Sequence, residues 1–348
     1  MNAKEKKNIR LISLEEIIVF LKENNEKTFR AKQIYEWLWK KAAHSFDEMT
    51  NLSINLRKLL DENFFINSIK LHSQQKSSDG TMKFTFELND GELVEGVLIP
   101  SMGRATACIS SQVGCNLGCE FCATAKIGFK RNLSFEEIYD QVVCINKQAI
   151  ENYKTHLTNI VYMGMGEPLL NYDNVLKSIN IITSTEGMAM SPSRITVSTV
   201  GIPKMIKKLA DDETRFNLAL SLHTANDKLR SSSMPVNDNH PTKQLIEALK
   251  YYHTKTSHRI SIEYILFKDY NDGETDAQEL AIFCRNFPVK VNIIEYNNVD
   301  DTVFQPASKE KTEEFVQFLE SKNMIVNVRK SRGKDIDAAC GQLANKLK

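Results

Sequence analysis

The chain of 348 residues is 42% hydrophobic and 26% charged, with a formal net charge of +1, as expected of a globular protein with room for one α/β core and a smaller appendage. No apolar run reaches the roughly 18 residues of a membrane helix, and Glu15 and Glu16 interrupt the basic N-terminus where a signal peptide is apolar, so a cytoplasmic protein with no membrane partner is expected. Seven cysteines without a secretory signal argue against a disulfide framework and for metal or thiol chemistry.

Residues 1–66 read as a helical module with an excess of Lys and Arg over Asp and Glu. In SLEEIIVFLKEN, Ser13 and Glu16 form a capping-box pattern ahead of an apolar helical face. RAKQIYEWLWKKAA and INLRKLLDENFF repeat the helical spacing. Tyr35, Trp37 and Trp39 are expected mainly to pack this module, while Arg30, Lys32, Lys40 and Lys41 are candidate phosphate contacts. Residues 67–100 read as a β-hairpin, KFTFEL and LVEGVLIP joined at Asn89-Asp90-Gly91.

From residue 101 to 335 the strand-like runs TACISSQV, NIVYMG, RITVST, FNLALSL, RISIEYIL and VKVNII alternate with helical runs such as SFEEIYDQVVCINKQAI and TKQLIEALKYYH. A further helix, KEKTEEFVQFLESK, and a strand, MIVNVRK, precede a C-terminal segment, 336–348. The alternation predicts an α/β fold with a parallel sheet and helical crossovers, open or closed into a barrel. Ligands of such sheets gather past the C-terminal strand ends. CNLGCEFC follows the first of these strands, MGMGEP the second, Ser198 closes the third, Ser221-Leu222-His223 the fourth, and Asn297 lies just past the sixth. The chemically distinctive residues thus fall on one expected face. Cys144 and Cys284 occupy apolar helix positions and read as core.

Cys115, Cys119 and Cys122 are spaced Cys-x3-Cys-x2-Cys with no fourth cysteine close behind. Structural zinc takes four ligands, usually from Cys-x2-Cys pairs, and no second pair is present. An iron–sulfur cluster suits three close thiolates, each on its own iron, and leaves one iron of a four-iron cube open for a ligand. The residues alone admit a radical enzyme acting on a small molecule or protein, an electron carrier, or a zinc-stabilised RNA-binding module.

The cysteine loop, with Phe121 ahead of its last cysteine, resembles that of the radical S-adenosylmethionine (radical SAM) enzymes. ISSQVGCNLGCEFCATAKIGFKRNL, MGMGEPLLN, SLHTANDKLR and DIDAACGQL, with FRAKQIYEWLW and SSDGTMKF before the core, are similar to the dual-specificity methyltransferases that act on carbon 2 of adenine in 23S ribosomal RNA and in tRNA next to the anticodon. A sister group acts on carbon 8 and tends to have MGMGEA where this chain has Pro168. The resemblance implies a partial (β/α)6 radical SAM barrel preceded by the helical module and hairpin. It implies a [4Fe-4S] cluster on Cys115, Cys119 and Cys122, and S-adenosylmethionine held by Gly166, Glu167, Ser198, Ser221, Leu222, His223 and Asn297. An electron donor, flavodoxin-like but of unknown identity, is expected, and a monomer is adequate for such work.

Carbon 2 of adenine is electron-poor, so direct transfer of a methyl cation to it is unfavourable, whereas a thiolate is methylated readily. The resemblance makes Cys340 the methyl-carrying thiol, Cys108 its partner and Glu95 the proton acceptor. In the mechanism that the resemblance implies, one cofactor molecule methylates Cys340, and a second, cleaved to a 5′-deoxyadenosyl radical, takes hydrogen from the S-methyl group. The carbon radical adds to adenine, and attack by Cys108 on the Cys340 sulfur releases the RNA, leaving a disulfide to be reduced. Plainer readings stand beside these: Cys108 as a small buried hydrophobe, His223 as a satisfied core histidine, MGMGEP as a strand-to-helix turn, and Glu95 as an exposed strand residue paired with Lys83. The adenine must leave its stack to react, and Lys126–Arg131 offers further candidate phosphate contacts.

Overall fold

Ten strands form one sheet: β1 (Lys70–Lys76), β2 (Met82–Glu87), β3 (Leu93–Ser101), β4 (Arg104–Cys108), β5 (Asn159–Tyr162), β6 (Ile195–Thr199), β7 (Asn217–Ser221), β8 (Ile260–Leu266), β9 (Val289–Glu295) and β10 (Val326–Arg329). This computed structural model describes residues 6–344; residues 1–5 and the last four of the expected C-terminal segment lie outside the described residues. Neighbours in the sheet are neighbours in the chain, antiparallel from β1 to β4 and parallel from β4 to β10. Each crossover therefore steps one strand along in the same direction, the winding of a partial barrel rather than of a doubly wound sheet.

The N-terminal module contains α1 (Leu14–Glu23), α2 (Arg30–Trp39) and α3 (Ile54–Asn63). The crossovers carry α4 (Phe135–Tyr153), α5 (Tyr172–Thr183), α6 (Pro203–Asp211), α7 (Thr242–Thr256), α8 (Glu274–Cys284) and α9 (Lys309–Ser321). No helix among the described residues is long and apolar enough to cross a membrane.

The strand β8 is buried on both faces, which is why ISIEYIL reads as a nearly continuous apolar run. Ile260, Ile262, Tyr264 and Leu266 pack in the main core, with Val291 and Ile293 beside them. The opposite face is polar. Ser221 pairs with Glu263, Glu263 with Asn292 and Asn292 with Asn327 across the ladder, and Ser198 Oγ lies 3.1 Å from Ser221 Oγ. A polar lining opposite an apolar core marks a ligand-holding interior.

Two elements differ from expectation. KLHSQQK forms β1, an exposed edge strand whose polar residues carry no alternating apolar pattern. The first core strand ends at Cys108 instead of continuing to Val113. After Ile109 N donates to Val161 O the chain bends away, and Gln112–Val113 pairs separately with Arg131–Asn132.

The helical module is joined to the core through buried polar contacts. Arg10 lies 2.7 Å from Asp140 on α4, Asn8 Nδ2 donates to Glu136 at 2.9 Å, and Tyr139 Oη donates to Trp39 O at 2.5 Å. The Trp39 ring stacks on Phe135 and meets Tyr139 edge-on. Ser13 caps α1 in the expected capping box.

Candidate active site

The cysteine loop lies between the bend after Cys108 and a short helix, Ala123–Ile127. Gly114 permits the loop to start where it does: at φ +72, a Cβ there would lie 1.7 Å from Gly128 O. Cys122 N donates to Cys119 O at 3.1 Å, and Glu120 N donates to Ser233 O at 3.0 Å, docking the loop on the helix Asp227–Ser233. Burial pushes the Cys115 thiol up to about 11, with the Cys122 charge adding to the effect. Burial raises Cys119 further, and Cys122 and Cys115 again add to it. The three thiols therefore share one electrostatic neighbourhood. Among the described residues, no three His, Cys, Asp or Glu side chains are grouped as a metal-ion site.

Arg230 provides the independent check. It is fully buried, donates to Leu222 O, Asn237 Oδ1 and Val200 O, and makes no ion pair among the described residues. Burial draws its pKa down to about 10, against the fields of Cys119 and Asp227. A buried cation hydrogen-bonded only to neutral groups is costly, and an anionic thiolate–iron–sulfur assembly on the cysteine loop would supply the missing countercharge. The residues fit the cluster.

Further candidates lie past the strand ends. Asn297 Oδ1 is buried without a hydrogen-bond partner just past β9, an acceptor lone pair suited to a polar ligand. His223 sits at φ +57, and its Nδ1 accepts from Ile265 N at 3.1 Å, which leaves the ring proton on Nε2. Burial and then the Arg230 charge lower its pKa to about 3, so the ring is neutral. Its ring packs nearly perpendicular to that of Phe121, in the cysteine loop, with centroids 5.0 Å apart. Leu222 is buried and its N donates to Glu263 O.

Glu167 accepts from Leu169 N at 3.0 Å and from Val200 N at 2.9 Å, tying together the ends of β5 and β6. Burial raises its pKa to about 7 despite these bonds. The glycines of MGMGEP serve a close approach to the chain itself: a Cβ on Gly166, at φ +95, would lie 2.5 Å from Gln112 Cβ, and one on Gly164 2.7 Å from Ile109 C.

The C-terminal segment brings Cys340 to the same place. Gly341 O accepts from Ala123 N at 2.8 Å, Leu343 O from Thr124 Oγ1 at 2.7 Å, and Ala344 N donates to Glu95 Oε2 at 2.9 Å. Cys340 is exposed to solvent, and desolvation by the surrounding protein raises its thiol pKa. Arg329, Glu263 and Cys122 all act on it electrostatically. Cys108 is buried at the end of β4; burial first, then the charge of Cys340, raise its pKa. Both thiols are unpaired.

Glu95 differs from the exposed-strand alternative. It is fully buried, 3.5 Å from the equally buried Lys83, with Oε1 lacking a hydrogen bond. The Lys126–Arg131 cluster and Arg30 prove committed within the chain. Lys130 pairs with Glu92, Arg131 with Asp90 and Glu137, and Lys126 donates to Asp300 O and Asp301 O, which weakens the Lys126–Arg131 cluster as a phosphate contact. Arg30 is held by Gln33 and Asn51 O. Lys32, Lys40 and Lys41 remain exposed, Lys41 over the Trp37 ring. Sequence reasoning missed Arg230 and Glu263. Arg230 lies in SLHTANDKLR as one charge among several, and Glu263, whose buried Oε2 has no partner, is distinguishable only as a carboxylate inside an apolar strand.

A parallel partial barrel with three cysteines on the loop after its first parallel strand defines a radical SAM protein, and residues 109–281 match the family profile described as the radical SAM superfamily. Residues 7–66 match the ribosomal RNA large subunit methyltransferase N-terminal domain. The chain is 55% identical over 98% of its length to a probable dual-specificity RNA methyltransferase RlmN of Christiangramia forsetii, covering 97% of that protein. It is 40% identical over 99% of its length to the dual-specificity RNA methyltransferase RlmN of Geotalea uraniireducens, covering 98% of it. A crystal structure of a radical SAM methyltransferase from Sphaerobacter thermophilus superimposes with a TM-score of 0.91 at 38% identity, covering 97% of this chain and 99% of that one. The chain belongs to the RlmN family of dual-specificity RNA methyltransferases.

Proposed function

We propose that this chain methylates carbon 2 of adenine in 23S ribosomal RNA and in tRNA next to the anticodon, carrying the methyl group on Cys340. The observation that carries this reading is an accessible thiol within electrostatic reach of both Cys108 and the cysteine loop. The names of the relatives support an RNA substrate. Cys115, Cys119 and Cys122 hold a [4Fe-4S] cluster, and Gly166, Glu167, Ser198, Ser221, Leu222, His223 and Asn297 hold S-adenosylmethionine, which when bound supply a methyl group and the radical chemistry that protein side chains lack.

Cys340 loses its proton, takes the methyl group on sulfur and presents it to the adenine ring. Glu95, with Oε1 free of hydrogen bonds, accepts the proton displaced from carbon 2. Cys108 then attacks the Cys340 sulfur; the S–S bond forms as the bond from sulfur to the transferred carbon breaks, that carbon keeps the bonding pair and takes up a proton to become the methyl group, and a thiol reductant later restores both thiols. Electrostatics orders these steps. A Cys340 thiolate opposes ionisation of Cys108, and methylation removes that charge, so Cys108 becomes the better nucleophile after its partner is loaded. All these residues come from one chain, which suits a monomer working on RNA in the cytoplasm with a flavodoxin-like electron donor. Residues 1–66 form the accessory module that contributes Lys32, Lys40 and Lys41 to RNA binding, the sheet from residue 101 to 335 is the catalytic core reached through the strands of 67–100, and 336–348 carries the methyl.

Nucleoside mass analysis of cells lacking the chain tests this. 2-Methyladenosine is expected to vanish from both RNAs, to return with the intact gene and to stay absent with Cys340→Ala. Cys108→Ala is expected to accumulate a covalent protein–RNA adduct. Loss of 8-methyladenosine instead would transfer the chain to the sister chemistry, and full turnover by Cys340→Ala would end the carrier role.

A further inference from the structure

After β10 the chain crosses to the antiparallel end of the sheet, where residues 332–338 meet the turn between β1 and β2. The contacts there are specific and reciprocal. Asp79 Oδ1 accepts from Thr81 N at 2.8 Å, closing its own turn, while Oδ2 accepts from Gly333 N at 3.0 Å. Asp335 accepts from Ser77 Oγ at 2.5 Å and from Ser78 N at 3.1 Å. Gly333 is at φ +66, and a Cβ on it would lie 2.7 Å from Ala338 Cβ and 2.9 Å from Thr81 Cγ2. Burial pushes the Asp79 carboxyl up, but hydrogen bonds from Thr81, Gly333 and Ser77 prevail and hold it at about 2. Arg332, 4.0 Å from Asp79 and half exposed, adds little.

Cys340 is thus suspended between two sets of anchors. Gly341, Leu343 and Ala344 grip the helix after the cysteine loop and Glu95. Gly333 and Asp335 grip a turn that holds no residue of the site. Chain ends fray unless tied down, and a reacting group displaced by about 1 Å loses on the order of a hundredfold in rate.

We propose that the turn Ser77–Thr81 is a clamp for the methyl-carrier segment, with Asp79 and Asp335 as positioning residues that hold the Cys340 thiol over the cysteine loop while leaving it open to RNA. This rests on the carrier role of Cys340 given above. A carboxylate suits the task because its two oxygens serve Thr81 N and Gly333 N separately; an amide has one acceptor oxygen and satisfies only one of them.

The test uses the full-length, cluster-loaded enzyme with Asp79→Asn and, from the other side of the contact, Gly333→Ala. Cys340 is followed by its rate of alkylation with iodoacetamide, read on the peptide of residues 335–346, and methyl transfer by kcat and KM on a tRNA anticodon stem-loop. In both variants alkylation of Cys340 is expected to quicken by about fivefold or more, and kcat to fall by about tenfold, with KM for RNA within about twofold of the unaltered enzyme. Asp79→Glu, which keeps both acceptor oxygens, is expected to regain part of the kcat. Buried Cys284 is the internal control. If it is alkylated in step with Cys340, the whole fold has loosened and a selective clamp is wrong. Unchanged Cys340 alkylation in both variants also overturns the clamp, whatever happens to kcat. RNA methylation by Cys340→Ala enzyme would remove the carrier role, whereas the alkylation rates would still decide whether the segment is clamped.

Discussion

His223 illustrates how one side chain combines backbone, burial and charge. Its left-handed φ of +57 is tolerated by few residue types, and its Nδ1 holds the Ile265 amide. Burial keeps it neutral in the folded state, with a pKa of about 3 against an ordinary 6.5. The unfolded chain takes up a proton as pH falls through 6.5 and the folded chain does not, so stability is lost on acidification across the window from 6.5 towards 3, at no more than about 1.4 kcal/mol per pH unit. His223→Asn keeps an acceptor for Ile265 N, suits a positive φ and cannot titrate. Between pH 7 and pH 5 the unaltered protein is expected to lose about 2 kcal/mol more than the variant, read as the difference in their denaturant midpoints. Equal acid sensitivity in the two proteins would mean that this ring is not held neutral. Nothing in SLH signals this in the sequence, because the neighbours that bury His223, Phe121 and Ile265, are each about forty or more positions away.

Among the elements, the loop after β5 shows why motif spacing was legible and its reason was not. The two glycines of MGMGEP are visible in the sequence, but what they approach is not: it is residues 109–112 of the chain itself, where Gly166 leaves 2.5 Å between a would-be Cβ and Gln112. Gly166→Ala is therefore expected to displace the loop and Glu167 with it, at a cost of about 2 kcal/mol or more for strain at positive φ plus overlap. S-adenosylmethionine affinity should fall with it, measured by equilibrium dialysis; wild-type affinity in the variant would detach this loop from the cofactor. The parallel strand β8 was readable because burial on both faces makes it an apolar run. The edge strand β1 was not, since its exposed polar residues pair only through the backbone. Glu95 and Lys83 were legible as a pair, but not as a buried one: Glu95 is met by the C-terminal segment, about 250 positions on, whose Ala344 N donates to its Oε2.

For the whole molecule, the decisive contacts join segments that the sequence separates. The helical module is compositionally distinct, yet Arg10 is buried against Asp140 on α4, its guanidinium 4.6 Å from the Trp39 ring, while Asn8 meets Glu136. Residues 70–101 supply three strands of the same sheet as the core. Such a joint predicts one cooperative unfolding transition shared by module and core. Arg10→Ala removes the cation and leaves Asp140 buried without its charge partner, the change that costs about 3–5 kcal/mol when a buried pair is broken from one side. Arg10→Ala with Asp140→Leu, which removes both charges, is expected to recover much of that loss, because an apolar pair avoids the desolvation of two ions. Denaturant curves followed by Trp fluorescence, which reports on the module through Trp37 and Trp39, and by far-ultraviolet circular dichroism, which is dominated by the core, should coincide in all three proteins. Separate midpoints for the two signals would show that the module folds on its own, and the buried pair would then be a docking contact between two domains instead of a seam within one.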